Sequence, residues 1–347
     1  MIKYSLRDAF ELTGSRQKEW CLQGMKGFLR KQFVMLITVG MLCTYTAEAC
    51  GAELRRFDFS DRNYLLPVDF AIQDQRAVEA NYTDTGYQDS TIQITIGSGR
   101  FEDRCDYWTA DIRIKDPSQM RTSAAKGDFK SKGTRDGVEL CGILNAVLGL
   151  NGDFVNGTEK LDFGYVVRQG VLFRDNLDTA GRWNSHLMDV LAIDEDGDFH
   201  IVRRAKAGDI ADMMVEGKRI MNSFCFGPAL VIDGVMVEDF DGADTWMNMA
   251  REYERQRIAF CQVESLHYKV VCCSGPYTNT STLMKSTGLT LADFTRLVAE
   301  QGVTTAYNLD GGDSSLLYFH GKRINEKPNQ SIRKLQDVIY FVSAEGL

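Results

Sequence analysis

The sequence predicts an α+β fold, in which helices pack on one large mixed or antiparallel sheet within a single domain. Three observations support this class. Many short runs alternate between apolar and polar residues, Gly-containing turns separate these runs, and few segments have the helical period. The 347 residues are 44% hydrophobic and 25% charged, which is ordinary for a globular chain of this length.

The N-terminal part of the chain differs from the rest. Residues 1–24 form a polar extension without a clear pattern. Residues 25–49 combine basic residues, an apolar run and a small-x-small site at 47–49, as a secretory signal peptide does. Alternatively, this segment stays uncleaved and anchors the chain in a membrane through residues 33–46, although a spanning helix needs ~20 apolar residues. Both interpretations predict a secreted or cell-surface protein.

The folded domain is expected to span residues 54–347. Two strictly alternating runs predict half-buried strands at 91–96 and 108–114. Apolar runs joined by tight polar turns predict hairpins at 163–173, 187–203 and 229–237, and further strands are predicted at 257–263, 268–273 and 332–342.

One strong helix is predicted after Thr290. Asp293 follows this threonine by three residues, which is typical of a helix N-terminus. An apolar stripe at helical spacing consists of Leu291, Phe294, Leu297 and Val298. Gly302 is expected to end the helix in the left-handed conformation.

Charge and ligand spacing restrict the function classes. The net charge of −8 gives no support for a nucleic-acid partner. The nine cysteines form no Cys-x-x-Cys pair and the four histidines show no ligand spacing, so neither a metal nor a cofactor is expected. The acidic stretch 194–198 resembles the start of a calcium loop without its full spacing, and we interpret it as a solvated turn.

One stretch, 308–315, concentrates polar groups between two apolar runs. It reads Asn-Leu-Asp-Gly-Gly-Asp-Ser-Ser and follows a β-branched run that predicts a strand. Asn308 and Asp310 are two residues apart and therefore share one face of that strand. Gly311 and Gly312 can adopt positive φ and let a ligand approach the backbone. Composition alone leaves a turn and a binding site as equal alternatives.

A second polar turn is predicted at Asn151-Gly152, directly after the apolar run 141–150. Asn-Gly is the strongest short hairpin signal, so a hairpin turn is the simpler interpretation of this pattern by itself.

The stretch 308–315 resembles the Asn-Leu-Asp-Gly-Gly-x-Ser-Ser signature of the phosphodiester glycosidase family, which usually has Gly where this chain has Asp313. Weaker matches follow in the family's order over about the last two hundred residues. These are the Asn-Gly-x-Phe motif at 151–154, a Gly-Pro-x-Leu strand within 226–234, an Arg-x-Ala motif at 257–260, the segment 288–291 before the helix, and Arg333.

The resemblance implies a hydrolase, an exported bacterial member of the family, that cleaves a sugar-1-phosphodiester in exopolysaccharide, cell-wall or glycoconjugate material. It also implies that the Asn151-Gly152 turn lies beside the 308–315 loop.

Such a cleavage needs a carboxylate near the anomeric carbon. This carboxylate stabilises the positive charge of the transition state, attacks the anomeric carbon or activates a water molecule. Asp310 is the predicted carboxylate, and Asp313 is the second choice or an acceptor for a sugar hydroxyl. Asn308 is expected to assist in the same site. Asn308 and Asn151 both have amides suited to sugar hydroxyls, although an Asn also stabilises turns through its own backbone.

The phosphate group needs cations and hydrogen-bond donors. Arg257 and Arg333 are predicted to hold it, because guanidinium groups bind phosphate in a bidentate manner. A surface ion pair is the alternative for each arginine. The other predicted contacts to phosphate or sugar oxygens are Gly152, Gly311, Gly312, Ser314 and Ser315.

Two other classes of function remain open at this point. The same polar residues are suited to a non-catalytic module that binds a cell-envelope polysaccharide. A metal-dependent phosphodiester hydrolase would instead use Asp310 and Asp313 as oxygen ligands.

Overall fold

The structure is a computed structural model that describes residues 77–131, 133–153, 164–177, 189–240, 252–275, 288–325 and 332–345. All of them lie in the compact unit Phe57–Leu347. The predicted extension 1–24 and the signal or anchor segment 25–49, including residues 33–46, lie outside the described residues. Within the described part, no helix is long and apolar enough to cross a membrane.

The described strands, in chain order, have the following bounds. They are β1 Tyr82–Thr83, β2 Gly86–Gln88, β3 Ile92–Phe101, β4 Cys105–Ile114, β5 Met120–Ala124, β6 Leu148–Asn151, β7 Gly164–Arg168, β8 Val171–Asn176, β9 Val190–Asp194, β10 Phe199–Val202, β11 Met214–Val215, β12 Lys218–Phe224, β13 Ala229–Ile232, β14 Val235–Met236, β15 Arg257–Glu264, β16 His267–Cys273, β17 Thr305–Leu309, β18 Leu317–Phe319, β19 Lys322–Arg323 and β20 Asp337–Phe341. The described α-helices are α1 Gly137–Ile143 and α2 Leu291–Ala299.

These described strands form four antiparallel sheets. The largest has nine strands in the order β1-β2-β3-β4-β16-β15-β17-β13-β14, and the second has five in the order β19-β18-β6-β20-β5. A four-stranded sheet has the order β10-β9-β12-β11, and β7 pairs with β8. The hairpins predicted at 163–173, 187–203 and 229–237 are present, because β7–β8, β9–β10 and β13–β14 are antiparallel neighbours.

Three apolar clusters show how these elements are layered. The main core lies between the nine-stranded and five-stranded sheets, with side chains such as Ile112 and Phe260 from one and Leu150 and Phe341 from the other. On its opposite face the nine-stranded sheet packs against α2. The five-stranded sheet packs against α1 on its own outer face. The arrangement is therefore a sandwich of two sheets with a helix on each side.

The predicted fold class is correct only in part. Antiparallel pairing and a sheet-dominated chain are confirmed. The described residues do not form one large sheet with several packed helices, because the strands divide among several sheets and only two α-helices accompany them. The physical reason is that an extended sheet with two apolar faces is covered most efficiently by another sheet.

Helix α2 confirms the predicted helix and its ends. The Thr290 hydroxyl accepts a hydrogen bond from the Asp293 amide at 3.1 Å, as a helix N-cap does. The predicted apolar stripe is buried against the nine-stranded sheet. Gly302 adopts a φ of 69° just beyond the helix and leads the chain into β17.

The Asn151-Gly152 hairpin prediction is wrong. Asn151 is the last residue of β6, a strand inside the five-stranded sheet. The partners of β6 are β18 and β20, which come from the C-terminal part of the chain. Long-range strand pairing, rather than a local turn, therefore determines the conformation of this Asn-Gly pair.

A lysine side chain occupies the centre of the acidic turn 194–198. The Lys218 ammonium lies 2.9 Å from Asp196, 3.4 Å from Asp194 and 3.7 Å from Asp198. The described residues contain no group of three metal-ligating side chains. The Lys218 ammonium therefore offsets part of the negative charge of this turn.

His200 is paired with the same turn, and its pairing predicts a pH dependence. Its Nε2 lies 2.9 Å from Asp194 Oδ2, and this hydrogen bond raises the pKa of His200. Burial alone would raise the pKa of Asp194, yet the contacts with His200, the Asp198 amide and Lys218 lower it. A histidine whose pKa is higher in the folded state than in the unfolded state stabilises the fold. This stabilisation is fully present at a pH below the unfolded-state pKa of about 6.5, and it is lost as the pH rises through the folded-state pKa.

We therefore expect His200→Gln to reduce the free energy of unfolding at about pH 5.5 by on the order of 0.5–1 kcal/mol, after allowance for solvent screening, and by much less at about pH 8.5. Urea unfolding at the two pH values measures this difference. His320→Gln is the control, because His320 is paired with the exposed Glu79 at the surface. An equal loss for His200→Gln at both pH values would contradict the expectation.

Candidate active site

The predicted polar loop connects the two large sheets. β17 ends at Leu309 in the nine-stranded sheet, and β18 begins at Leu317 in the five-stranded sheet. Between them, Gly312–Ser314 form one turn of 3-10 helix. The strand prediction before the loop is confirmed, and Asp310 lies directly after its last residue. The loop therefore joins the end of an inner strand of one sheet to the start of an inner strand of the other.

Asn151 holds both ends of this loop. Its Nδ2 donates to the Asp310 carbonyl oxygen at 2.9 Å, and its Oδ1 accepts from the Leu316 amide at 3.0 Å. The side chain is fully buried. The predicted contact between the 151 and 308–315 segments is therefore confirmed across 159 positions of sequence. Both ends of the amide bind main chain of this distant loop, so Asn151 positions the loop, and the predicted recognition of a sugar hydroxyl by Asn151 stays a prediction.

Asn308 connects the loop to a third segment. Its side-chain Nδ2 donates to the Gly227 carbonyl oxygen at 2.8 Å, and its main-chain amide donates to the Pro228 carbonyl oxygen at 3.0 Å. Gly227-Pro228, a cis peptide bond, lies in the segment that sequence analysis matched at 226–234. The side chain is 1% exposed, so Asn308 fixes the loop against this segment.

The Asp310 carboxylate lies beside Arg333. Its Oδ2 is 3.7 Å from Arg333 Nη1, and the side chains of Asp310 and Arg333 are 13% and 45% exposed. The Arg333 amide also donates to the Asp313 carbonyl oxygen at 2.8 Å. The structure therefore brings together three predicted site residues, with a carboxylate partly open to solvent beside a guanidinium exposed to solvent. Asp313 is partly exposed on the same turn.

Arg257 has a different environment from the one predicted. It is 3% exposed, and its guanidinium donates to the main-chain carbonyls of Leu289 at 2.8 Å and Tyr253 at 2.9 Å. Burial lowers the pKa of this guanidinium to about 10. The surface ion pair considered for Arg257 is therefore wrong. Its contacts hold neighbouring main chain, whereas the phosphate role that sequence analysis gave it stays a prediction.

The predicted site glycines have close neighbours in the structure. Gly312 has a φ of 57°, as predicted, but its amide donates to the Gln256 carbonyl oxygen at 2.9 Å. Gly311 is extended, and a Cβ there would overlap that same carbonyl oxygen. At Gly152 a Cβ would overlap the Asp337 carboxylate. Main chain or a carboxylate therefore fills the space beside Gly311 and Gly152, and the Gly312 amide is already paired, whereas the ligand contacts predicted for these glycines stay a prediction.

We expect Gly311→Ala to lower the free energy of unfolding by about 1–3 kcal/mol, since the new methyl group forces the loop away from β15. Thermal or urea unfolding measures the loss. Gly142→Ala is the matched control, because nothing lies within 4 Å of a Cβ at this position of α1. A Gly-to-Ala change inside a helix is neutral or stabilising. Equal stability of the two variants would contradict the proposed close contact.

The two serines of the loop have different surroundings. The Ser315 hydroxyl accepts from Asn325 Nδ2 at 3.2 Å, and Asn325 Oδ1 accepts from the Leu317 amide. Ser315 therefore belongs to the internal bonding of the loop. The Ser314 hydroxyl is buried and has no hydrogen-bond partner among the described residues. A buried hydroxyl without a partner is costly, so Ser314 is the serine suited to bind a substrate oxygen.

A buried charge cluster beside the loop was missed by sequence analysis. Arg168, 1% exposed in its side chain, binds Asp337 Oδ2 through Nε at 3.2 Å and Nη2 at 2.8 Å. Its Nη2 also lies 3.6 Å from Asp153 Oδ2. Arg168 ends a hairpin strand and Asp337 begins the last strand, so each resembles an ordinary charged residue at a strand end. Only Asp153 carried a signal, because it lies inside the matched 151–154 motif.

Comparisons with known proteins place the chain in a family. The sequence profile of the family described as NAGPA, phosphodiester glycosidase, matches residues 144–342, which is more than half of the chain. No curated protein sequence gave a match.

Two solved structures have a similar fold. One is the zebrafish N-acetylglucosamine-1-phosphodiester alpha-N-acetylglucosaminidase catalytic domain auto-inhibited by its pro-peptide, with a TM-score of 0.53 at 14% identity over 73% of this chain and 83% of that one. A hypothetical protein from Synechocystis has a TM-score of 0.50 at 14% identity over 73% of this chain and 62% of that one. The profile match spans the 308–315 loop, Asn151 and Arg333, and on this basis the chain belongs to the phosphodiester glycosidase family.

Proposed function

We propose that this protein hydrolyses the bond between the anomeric carbon of a sugar and the phosphate of a phosphodiester. Family membership supports the reaction class. The observation that carries the proposal is the pair of hydrogen bonds made by the Asn151 side chain. These bonds fix the main chain of Asp310 and Leu316 in the loop that joins the two large sheets. The main chain of Asp310 is thus held in place and its carboxylate lies beside the exposed Arg333 guanidinium, which matches what glycosyl phosphate cleavage needs.

Each residue of the site has a role in this proposal. Asp310 supplies the carboxylate at the anomeric carbon, where positive charge develops as the bond to phosphate breaks. Arg333 binds the phosphate oxygens, and its distance of 3.7 Å from Asp310 lets one substrate contact both. The Ser314 hydroxyl binds a sugar or phosphate oxygen. Asp313 accepts from a sugar hydroxyl, or replaces Asp310 if that residue proves inactive.

The location of the substrate is part of the same proposal. The segment 25–49 has the pattern of a signal peptide or an N-terminal anchor, so the protein is proposed to act outside the cytoplasm or at the cell surface. Sugar phosphodiesters outside the cytoplasm occur in exopolysaccharide, cell-wall polymers and glycoconjugates. We therefore propose one of these as the substrate.

Turnover of a defined sugar-1-phosphodiester, such as an N-acetylglucosamine-1-phosphate ester, tests the proposal. The full chain should release free sugar, and should do so equally in the presence of a chelator. Binding of a polysaccharide without any release of sugar would instead support the non-catalytic module. Loss of release in the chelator would support a metal-dependent hydrolase that uses Asp310 and Asp313.

A further inference from the structure

Arg255 is a partly exposed arginine near the 308–315 loop, and no carboxylate among the described residues pairs with its guanidinium. Arg113, which is also partly exposed, lies 3.3 Å from Glu264. The acidic residue next to Arg255 in sequence, Glu254, lies 3.3 Å from Arg104 instead. The Arg255 guanidinium therefore retains hydrogen-bond donors that an anionic ligand can use.

The position of Arg255 places it at the edge of the proposed active site. The carbonyl oxygen of the next residue, Gln256, accepts from the Gly312 amide at 2.9 Å. Gly312 follows Asp310 by two residues, a step that spans at most about 7 Å. A substrate that consists of a sugar, a phosphate and a second group is therefore long enough to contact both Asp310 and Arg255.

The Arg255 guanidinium is stacked on an aromatic ring. Its Cζ lies 5.2 Å from the centroid of the Tyr253 ring, and Tyr253 is 47% exposed. Stacking uses one face of a planar guanidinium, whereas its N–H groups point outward in the plane. Such a guanidinium can bind phosphate through two parallel hydrogen bonds. The stack therefore presents phosphate donors and an exposed apolar ring side by side.

The buried Arg257 holds the main chain around this stack. Its guanidinium donates to the carbonyl oxygens of Tyr253 at 2.9 Å and Leu289 at 2.8 Å. Leu289 in turn exchanges two main-chain hydrogen bonds with Arg255, each of 3.1 Å. The main chain of Tyr253 and of Arg255 is thus fixed before a ligand arrives, which lowers the entropic cost of binding.

We propose that Tyr253 and Arg255 form a subsite for the departing group of the substrate. This subsite rests on the proposed function. Arg255 binds the phosphate together with Arg333, and the Tyr253 ring packs against the apolar face of the sugar or alcohol that stays esterified to this phosphate. Arg257 is a positioning residue for both side chains.

The subsite has a direct role in the reaction. As the bond between C1 and oxygen breaks, its electron pair stays on the phosphate oxygen, so the departing phosphate monoester gains negative charge. Water supplies the hydroxyl group of C1, and its remaining proton goes to solvent. The Arg255 guanidinium stabilises the charge that develops on the phosphate, and it also binds the released monoester.

The test measures binding of two probes to the full chain by calorimetry. Inorganic phosphate probes the guanidinium, and glucose-6-phosphate, a phosphate monoester of a sugar, probes the guanidinium and the ring together. Arg255→Gln should weaken both by about 10- to 100-fold. Tyr253→Ala should weaken glucose-6-phosphate by about 3- to 10-fold more than inorganic phosphate. Both variants should fold, because the contacts that hold this segment to Arg257 and Leu289 are made by main-chain atoms.

Arg113→Gln is the matched control. Arg113 belongs to the same nine-stranded sheet and is partly exposed, but its partner Glu264 lies at the opposite end of β15 from Arg255. This variant should bind both probes as the wild type does. An equal loss for Arg113→Gln and Arg255→Gln would reveal a general effect of net charge and would overturn the subsite.

A second variant keeps the test decisive if Arg255→Gln melts early. Arg255→Lys retains the charge and loses the planar arrangement of donors, so its phosphate affinity should fall several-fold. Wild-type affinity in this variant would overturn the role of Arg255.

Other outcomes separate this inference from the proposed function. A wild-type chain that releases sugar but binds neither probe, or an Arg255→Gln protein with unchanged phosphate affinity, would overturn the subsite and leave the proposed function standing. A wild-type chain without turnover that still shows the expected losses in both variants would overturn the proposed function and leave a binding site for sugar phosphates.

Discussion

Asp310→Asn is expected to lower turnover of a sugar-1-phosphodiester by a factor on the order of a hundred or more, with an unchanged melting temperature. The structure explains why the fold should tolerate the change. The loop is held through the carbonyl oxygen of Asp310, which Asn151 binds, and not through its carboxylate. The carboxylate is partly exposed and lies 3.7 Å from the exposed guanidinium of Arg333. The rate and the thermal midpoint should be measured on one preparation.

Asp233→Asn is the control for the change in charge. Asp233 lies on the exposed turn between β13 and β14, with a φ of 53° that Asn adopts readily. This variant should keep both rate and stability. If Asp310→Asn melted early but retained its activity per folded molecule, Asp310 would be a structural residue. A near wild-type rate would remove Asp310 from the mechanism, and Asp313 would be the next residue to change.

Arg168→Met is expected to cost about 3–5 kcal/mol of unfolding free energy at neutral pH, the largest stability effect predicted for this chain. The substitution leaves two buried carboxyl groups without their cation. It also removes the guanidinium that stacks on the Phe224 ring, 4.4 Å from its centroid. Urea unfolding of wild type and variant at neutral pH measures the loss.

The pH dependence of this loss identifies its electrostatic part. Burial already raises the pKa of Asp153 and the Arg168 guanidinium opposes that rise, so removing Arg168 should raise this pKa further. The added penalty is then fully present above the folded pKa of Asp153 and decreases as the pH falls through that value. The difference between wild type and variant should therefore be smaller at about pH 5. A difference that does not change with pH would assign the loss to packing instead.

Arg100→Met is the matched control for Arg168→Met. Arg100 lies 2.9 Å from Asp106, about the separation of Arg168 and Asp337, but its side chain is 55% exposed. Solvent-exposed pairs contribute about 1 kcal/mol or less. The contrast between the two variants measures how much burial, rather than distance, determines the strength of an ion pair in this protein.

Local patterns were sufficient for much of the secondary structure. The alternating runs at 91–96 and 108–114 became β3 and β4, because a strand with one face on the core needs that alternation. The threonine cap and apolar stripe of α2 were also correct. Helix α1 was missed. It has only seven residues, two of them glycine, and its N-cap at Asp136 was not recognised in a charged stretch.

Local patterns could not predict which strands pair with each other in one sheet. The division of the strands into a nine-stranded and a five-stranded sheet depends on contacts between distant parts of the chain. Asn151-Gly152 shows the consequence, since its residue types favour a hairpin but β18 and β20 hold it in a central strand. Pairing on both sides outweighs the turn preference of two residues.

The sequence by itself determined the polar loop, the helix that precedes its strand, and the family resemblance that linked Asp310 to Asn151 and Arg333. These features depend on residues that are close in sequence or belong to one motif. Only the tertiary structure decided that Asn151 binds main chain, that Arg257 is buried, and that Arg168 lies in a buried cluster with Asp153 and Asp337. The physical reason is that burial and charge balance depend on which distant strands meet, and no local pattern records that.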